Sequence, residues 1–584
     1  MVDMREMGTE YTSDILVIGG SIAGLVTAIK TKEINPDLDV LVVDKGAIGW
    51  SGQAAKAGNG IVSRQPEQSV DDFMEFSIKS FGEYLNDQDY LRMHYENQTD
   101  YLDNLLRWGV NISKNPDGTV KKFPLKNNLW CQVGIELKNI KSLRAYALKV
   151  GVRLLSYVHI FDLLTDGDRV VGGVGMDSNN MKFQIFQAKA VVICTNGTHF
   201  KKMGGMFMGY GTGLGAAYRA GAHMRNAEFS TEVDVVSKAN FTPIYGACNI
   251  IYNQNGENIS AKYAPDRVEV SCELVMGMYK EVQEGRGPLY ADLTKPDPIR
   301  DEIGAQGHDV NDQRLWPDKH HWVEHMEEKA GKYGQAFEEK LEATARMQMQ
   351  AQCLAVDMEQ KTHVNGLWGA GQITAMGCSY IGFVRGDGLG FAVQTGIRAA
   401  ESMAKYVADA EVGSIDPNQV RNLKEKIYAP LHRKTLHKPA EIFRQIEEYA
   451  FHVDVMLAKS EKSIQYVLDW IQEMYKIVPR LSADDAHSLA KCHEAAECLL
   501  SLEFIFRAAL MRKESRGGRY RHYRIDYPER NDSEWLKWIN IVQDQDGGMK
   551  LFTEDVPMER YQFKPDGWVK TGILGEWVHG KNNH

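Results

Sequence analysis

Hydrophobic positions in this chain gather into short unbroken runs. Ile15-Leu16-Val17-Ile18, Val40-Leu41-Val42-Val43 and Ala190-Val191-Val192-Ile193 each have the length of a strand and lack interleaved polar residues. Such runs predict strands buried on both faces, as in a parallel sheet. The first run leads into Gly19-Gly20-Ser21-Ile22-Ala23-Gly24 and a helix that Asn35-Pro36-Asp37 closes. The second ends in Asp44-Lys45, and the third in the polar turn Thr195-Asn196-Gly197. A strand, a glycine turn and a helix, with a carboxylate twenty positions after Gly24, form the arrangement that holds a dinucleotide. Gly19 permits the tight turn, Gly24 lets helix and strand pack closely, and the helix start offers N–H groups to a pyrophosphate. Ser21 replaces the usual middle glycine and crowds the backbone approach to phosphate. Asp44 is placed to accept hydrogen bonds from a ribose.

The remaining pattern predicts further elements. Residues 68–109 carry helical spacing. Residues 151–175 read as a strand meander turning at Asp166-Gly167-Asp168. Ser51-Gly52-Gln53-Ala54-Ala55 opens a small-residue stretch to Ile61 with too little volume to pack, so another object must lie against its backbone. Gly211-Thr212-Gly213-Leu214-Gly215 opens a small-residue helix, and Asn365–Gln372 returns to the strand-and-glycine style. Residues 230–350 are less regular and more charged, and residues 388–408 form a helix. Val420–Tyr428, Pro439–Tyr475 and Ala483–Lys513 carry helical periodicity. The tail after 526, rich in Trp, Tyr, Pro and Asp, reads as an extended arm.

Composition narrows the classes. A chain of 584 residues exceeds one hydrophobic core, so several domains are expected. Its net charge of −10 argues against a nucleic-acid partner, whose binding face would be basic. No apolar run reaches membrane-spanning length, and the polar start Met1–Glu6 lacks a signal-peptide core; a cytoplasmic location is expected. The eight cysteines form no C-x-x-C pair, so this chain is not expected to ligate an iron–sulfur cluster or to form a disulfide scaffold. Cys492, His493 and Cys498 are read as ordinary helix residues rather than a zinc site.

These segments, in this order, resemble the flavoprotein subunits of the succinate dehydrogenase and fumarate reductase superfamily, and most of all the adenylylsulfate reductase alpha branch. The likeness rests on Gly19–Gly24 with Asp44-Lys45, Thr195-Asn196-Gly197, Thr212-Gly213-Leu214-Gly215 with Arg219-Ala220-Gly221-Ala222, Gly366–Gln372, and Arg512–Gly517 followed by Tyr523–Pro528. It implies an α/β plus α fold. A Rossmann-like FAD-binding domain over 1–230 and 351–410 is interrupted by a capping lid over 231–350. A helical domain over 411–525 and a C-terminal arm over 526–584 follow. It implies FAD held by Gly19, Gly20, Ser21, Gly24, Asp44, Lys45, Ser51, Gly52, Gln53, Ala54, Ile160, Thr195, Asn196, Gly197, Gly213, Gly371, Gln372, Gly388 and Leu389. Gly388-Leu389 would present a helix N-terminus to the flavin pyrimidine edge; the alternative is a plain helix start. Membrane-bound relatives attach FAD through a Ser-His pair. Here the pair is Ser51-Gly52, so the flavin is expected to be non-covalent.

The catalytic pattern departs from fumarate reductases. Ser230-Thr231-Glu232-Val233-Asp234 stands where they carry His-Pro-Thr, and Cys272-Glu273 where they carry a proton-donating Arg-Asp. The adenylylsulfate reductase pocket is not matched either: Lys238-Ala239-Asn240 lacks its substrate arginine, and Cys378-Ser379-Tyr380-Ile381 lacks its histidine. Arg385 matches a family arginine that grips a substrate anion, which suits a planar guanidinium; the alternative is a salt bridge to Asp387 or Glu401. Arg516 is a second candidate grip. His321, with His320, His325, Trp316 and Trp322 in the expected lid, is a candidate proton donor or a surface residue.

The expected function is two-electron transfer between an iron–sulfur partner and a small anionic substrate, a sulfur oxyanion or a related species. The partner implied by the resemblance is a ferredoxin-like subunit carrying [4Fe–4S] clusters in a hetero-oligomer. Trp535, Trp538, Trp568 and Trp577 would either face it or anchor the tail. The alternatives are reduction of an unsaturated carboxylic acid, and a non-catalytic electron-transfer subunit. A flavin-dependent tRNA-modifying role is disfavoured by the acidic charge.

Overall fold

A computed structural model describes residues 6–55, 60–64, 67–125, 130–136, 138–200, 209–239, 244, 250–265, 271–292, 340–375, 387–517 and 522–565. The apolar runs form the centre of a seven-stranded sheet. Its strands are β1 (Thr9–Ile18), β2 (Val40–Asp44), β3 (Arg153–Ser156), β4 (Val158–Asp166), β5 (Arg169–Asp177) and β6 (Phe183–Ile193), in the order β3-β2-β1-β6-β5-β4. Leu367–Gly369 adds a parallel strand to β6. β1 pairs in parallel with both β2 and β6, Val17 lying between Val42 and Val192, and all three side chains are fully buried. Burying each such residue contributes roughly 1.5–3 kcal/mol. β4, β5 and β6 form an antiparallel meander that keeps the expected turn at 166–168, but Arg153–Ser156, expected within it, pairs instead in parallel with β2.

Helix α1 (Ile22–Ile34) crosses from β1 to β2 and buries against α2 (Gly388–Asp409). Their small residues set the spacing: a Cβ on Gly396 would come within 2.8 Å of the Ala23 carbonyl oxygen. A second, antiparallel sheet carries β7 (Thr198–Phe200), β8 (Thr231–Ser237) and β9 (Lys340–Ala351). β8 lies along one edge of β9, with Thr231 opposite Met349; β7 lies along the other, with Phe200 opposite the same Met349.

The helices after 418 differ in detail from the periodicity. Pro439–Tyr475 is two helices, Pro439–Ala450 and Glu461–Ile477, joined by a π-helical turn over Val453–Leu457 and a two-residue strand. Ser460 caps the second helix in a capping box, which starts a new helix where the apolar pattern alone suggested continuity. The long helix is Ala486–Met511. Its Cys492, His493 and Cys498 turn to three different carbonyls, those of Ser482, Ile427 and Tyr210. Among the described residues no His, Cys, Asp and Glu group could hold a metal ion, and no helix is long and apolar enough to cross a membrane.

The tail is a hairpin, Lys537–Gln543 with Met549–Asp555, whose first strand also pairs with Met224–Arg225. Trp538 is buried, donates to the Leu85 carbonyl at 2.9 Å and lies beneath the Arg225 guanidinium. Trp535 is half-buried beside Arg512. Both therefore anchor the tail to its own chain; Trp568 and Trp577 lie outside the described residues. The junction is an ion network without solvent exposure. Arg512 pairs with Glu228 at 2.6 Å and Glu514 at 2.9 Å, and donates to the Lys537 and Trp535 carbonyls. Burial pushes the Glu228 carboxyl up, and Arg512 opposes that shift. Breaking a buried pair from one side leaves the other charge uncompensated. Arg512→Ala should therefore cost about 3–5 kcal/mol, read as a lowered denaturation midpoint; a change within 0.5 kcal/mol (roughly that of a neutral surface site) would contradict this network.

Candidate functional site

The two sheets meet at the ends of β1, β2 and β6. There Ser21 caps α1 in extended backbone without a side-chain hydrogen bond, and the first turn of α1 carries no acid. Leu25 N–H is bonded to the Ser21 carbonyl, so the N–H groups ahead of it face outward from the turn. Gly24 allows this close approach: a Cβ there would run into the Gly19 carbonyl oxygen. Gly19 itself has a φ of 113°. The Asp44 carboxylate accepts from Gly20 N–H at 2.7 Å, Gly46 N–H at 2.7 Å and the Ser51 hydroxyl at 3.1 Å. A carboxylate has about four lone-pair positions, so a ribose hydroxyl still has one to bond.

Ser51, Gly52, Gln53 and Ala54 fold over this end. Asn139 donates to the Ala54 carbonyl at 3.3 Å and ties the segment to the helix Asn139–Lys149. Lys45 turns to Glu494 at 2.9 Å and stands over the Tyr210 ring. Ile160 is buried in β4. Gly213 abuts the Thr195 hydroxyl, and Gly371 N–H bonds to Thr395. Three polar atoms around the cradle, Gln53 Oε1, Thr195 Oγ1 and Gln372 Oε1, are buried without a hydrogen-bond partner. Buried polar atoms are normally satisfied, so this ring of unspent groups fits a large polar cofactor, as does the uncapped helix start.

The start of α2 follows the same logic. Asp387 occupies its N-cap, but the carboxylate does not cap it. It turns inward to His94 Nε2 at 3.0 Å, both groups fully buried, with the His94 ring stacked on Phe391 at 3.9 Å. The carboxylate therefore does not cap the N–H groups of Gly388 and Leu389. Arg385 and His321, with His320, His325, Trp316, Trp322 and Cys378, lie outside the described residues.

Arg516 corrects an expectation. Read as an anion grip, it is fully buried and spends its guanidinium on Glu514 (2.7 and 2.8 Å), Asp532 (2.7 Å) and the Glu83 carbonyl (2.6 Å). It braces the tail junction because acids of its own segment reach it first.

One feature escaped the sequence reading. β9 carries Arg346, Gln348 and Gln350 at alternate positions, and Gln352 continues the series. Glu232 and Asp234 of β8 stand opposite Gln348 and Arg346, and His199 of β7 stands opposite Gln350. All share one face of the sheet. The other face carries Met349, Ala351 and Phe200 into the main core. A period-two polar signal, Arg-Met-Gln-Met-Gln-Ala-Gln, was present at 346–352 but stood in a region read only as irregular.

The FAD binding domain family matches residues 14–390, and the fumarate reductase flavoprotein C-terminal family matches 449–568. The chain belongs to the succinate dehydrogenase and fumarate reductase flavoprotein superfamily. It carries the FAD-binding domain of that superfamily and is a flavoprotein oxidoreductase. It is 23% identical to a subunit of the fumarate reductase (CoM/CoB) of Methanothermobacter marburgensis, over 91% of this chain and 97% of that one. Its fold is similar to FrdA of the Escherichia coli quinol fumarate reductase, with a TM-score of 0.79 at 19% identity over 95% and 98% of the chains. Adenylylsulfate reductase of Archaeoglobus fulgidus gives 0.75 at 20% identity over 96% and 99%.

The close approach at Gly24 gives a direct test. Gly24→Ala should cost about 1–3 kcal/mol through overpacking and lower the FAD retained through gel filtration; retention equal to the parent protein would remove Gly24 from the cradle.

Proposed function

We propose that this chain is the flavoprotein subunit of a two-electron oxidoreductase linking an iron–sulfur partner to a small substrate with an anionic end. The observation that carries this reading is the junction of two kinds of surface. A cradle of unspent polar atoms at Gln53, Thr195 and Gln372 adjoins a sheet face that buries polar side chains. Bound FAD supplies the two-electron redox chemistry, and the residues around it position and tune it.

The roles follow from placement. The uncapped start of α1 holds the pyrophosphate, Asp44 the ribose, and the Ser51–Ala54 segment the ring side. Gly52 stands where membrane-bound relatives place the linking histidine, so the flavin is non-covalent. Gly388 and Leu389 direct N–H groups and the positive helix end at the pyrimidine edge, worth on the order of 1 kcal/mol for an anionic ring. Arg385, directly before this helix, binds the substrate anion through its planar fork. His321 remains the candidate proton donor. Residues 231–350 supply the capping domain, and the chain works in the cytoplasm.

A ferredoxin-like subunit with [4Fe–4S] clusters would bring the electrons, as the likeness to adenylylsulfate reductase implies. The names of the fumarate reductase relatives support a second reading, reduction of an unsaturated acid. Cys272-Glu273 at the place of the proton-donating Arg-Asp weighs against it.

Isolated from its native source without oxygen, the chain should co-elute with iron and acid-labile sulfide; their absence would remove the iron–sulfur partner. Arg385→Ala should lower kcat/KM roughly 100-fold or more, as loss of a charged contact does, at unchanged FAD content. Unchanged turnover would remove the grip.

A further inference from the structure

We infer that the part of the substrate lying on the β7–β8–β9 face carries hydrogen-bond donors, an ammonium or hydroxyl groups, and not a second oxyanion. The inference rests on the proposed flavin site and deepens it. Gly197 joins the two: a Cβ there would strike the Ala351 carbonyl oxygen, so the end of β9 lies directly against the turn Thr195-Asn196-Gly197. The side chains near that end are Gln348, Gln350, Gln352, Glu232 and His199, each at least nine-tenths buried.

Gln348 and Gln352 each leave an acceptor open. Glu232 is a carboxylate, and one of its oxygens takes the Gln348 amide N–H at 2.5 Å. A carboxylate only accepts in its charged form, so this bond fixes the Gln348 amide with Oε1 pointing away from it. That oxygen is buried and has no partner, and Gln348 is 1% exposed. Gln352 places its Nε2 against His199 Nε2 at 2.7 Å, and its Oε1 is likewise buried without a partner. Asp234, two residues along β8, adds a second carboxylate to the same face. Among the described residues the guanidinium on this face is that of Arg346, which lies opposite Asp234 at the end away from Gly197 and is not fully buried. Among the described residues, an oxyanion placed beside Gln348 and Gln352 would meet the Glu232 carboxylate and two amide oxygens, and would leave those oxygens unsatisfied. A donor would satisfy them, and the unsatisfied alternative is what such sites reject.

The test uses full-length holoprotein and two size-matched series, propionate, lactate and alanine, then succinate, malate and aspartate. Within each series one carbon carries hydrogen, hydroxyl or ammonium. Perturbation of the bound flavin's absorbance is read against ligand concentration. In at least one series the hydroxyl or ammonium member should half-saturate at a concentration roughly tenfold or more below its unsubstituted parent, as expected for filling an unpaired buried acceptor. Glu232→Gln, checked for parental FAD content, should erase that preference; Gln348→Met is the second variant should the first not fold. Equal or tighter binding of propionate and succinate, or no perturbation by any member, overturns the inference. If FAD is retained in that case, the flavoprotein reading stands; if the protein binds no FAD, that reading fails instead.

Discussion

Everything in this molecule depends on backbone meeting backbone at the ends of three parallel strands. At Gly24 and Gly19 the helix and its strand approach so closely that no side chain fits between them. At Gly197 the second sheet reaches the same place. The consequence is chemical as well as steric. The uncapped start of α1 and the unpaired oxygens of Gln53, Thr195 and Gln372 belong to this region. Left bare, such groups cost free energy; in the proposed function they recognise a dinucleotide.

Around that point the chain separates stiffness from chemistry. The tail, the Glu228 turn and the long helix are locked by the Arg512–Glu514–Arg516 network. The His94–Asp387 pair, stacked on Phe391, fixes the start of α2 from behind. These buried pairs hold the elements that surround the cradle. The second sheet then divides its two faces. One buries Met349, Ala351 and Phe200 in the core, and the other buries carboxylates and amides.

The parallel sheet and its cradle were legible because their signals are local. Four-residue apolar runs, a glycine turn and a carboxylate at the right distance specify a strand–helix–strand unit almost without tertiary information. Arg516 was misread because a guanidinium in a signature run looks the same whether it meets a ligand or Glu514. The break inside Pro439–Tyr475 was missed because apolar spacing does not register a new cap at Ser460. The polar face of β9 is the instructive case. Its alternation is plain at 346–352, yet its meaning appears only when β7 and β8 bring His199 and Glu232 to the same side. Reading it from the sequence would have required treating buried polar alternation as a strand signal, against the usual rule that polar positions face water.

The central claim is that these glycine-lined surfaces converge on one unlinked flavin. The most direct measurement is FAD in the supernatant after acid precipitation of the purified full-length chain. The expected result is a stoichiometric amount of FAD in solution above a colourless pellet. A chain that is colourless from the start and takes up no FAD on reconstitution would contradict the account, and a pellet that stays yellow would contradict its non-covalent part.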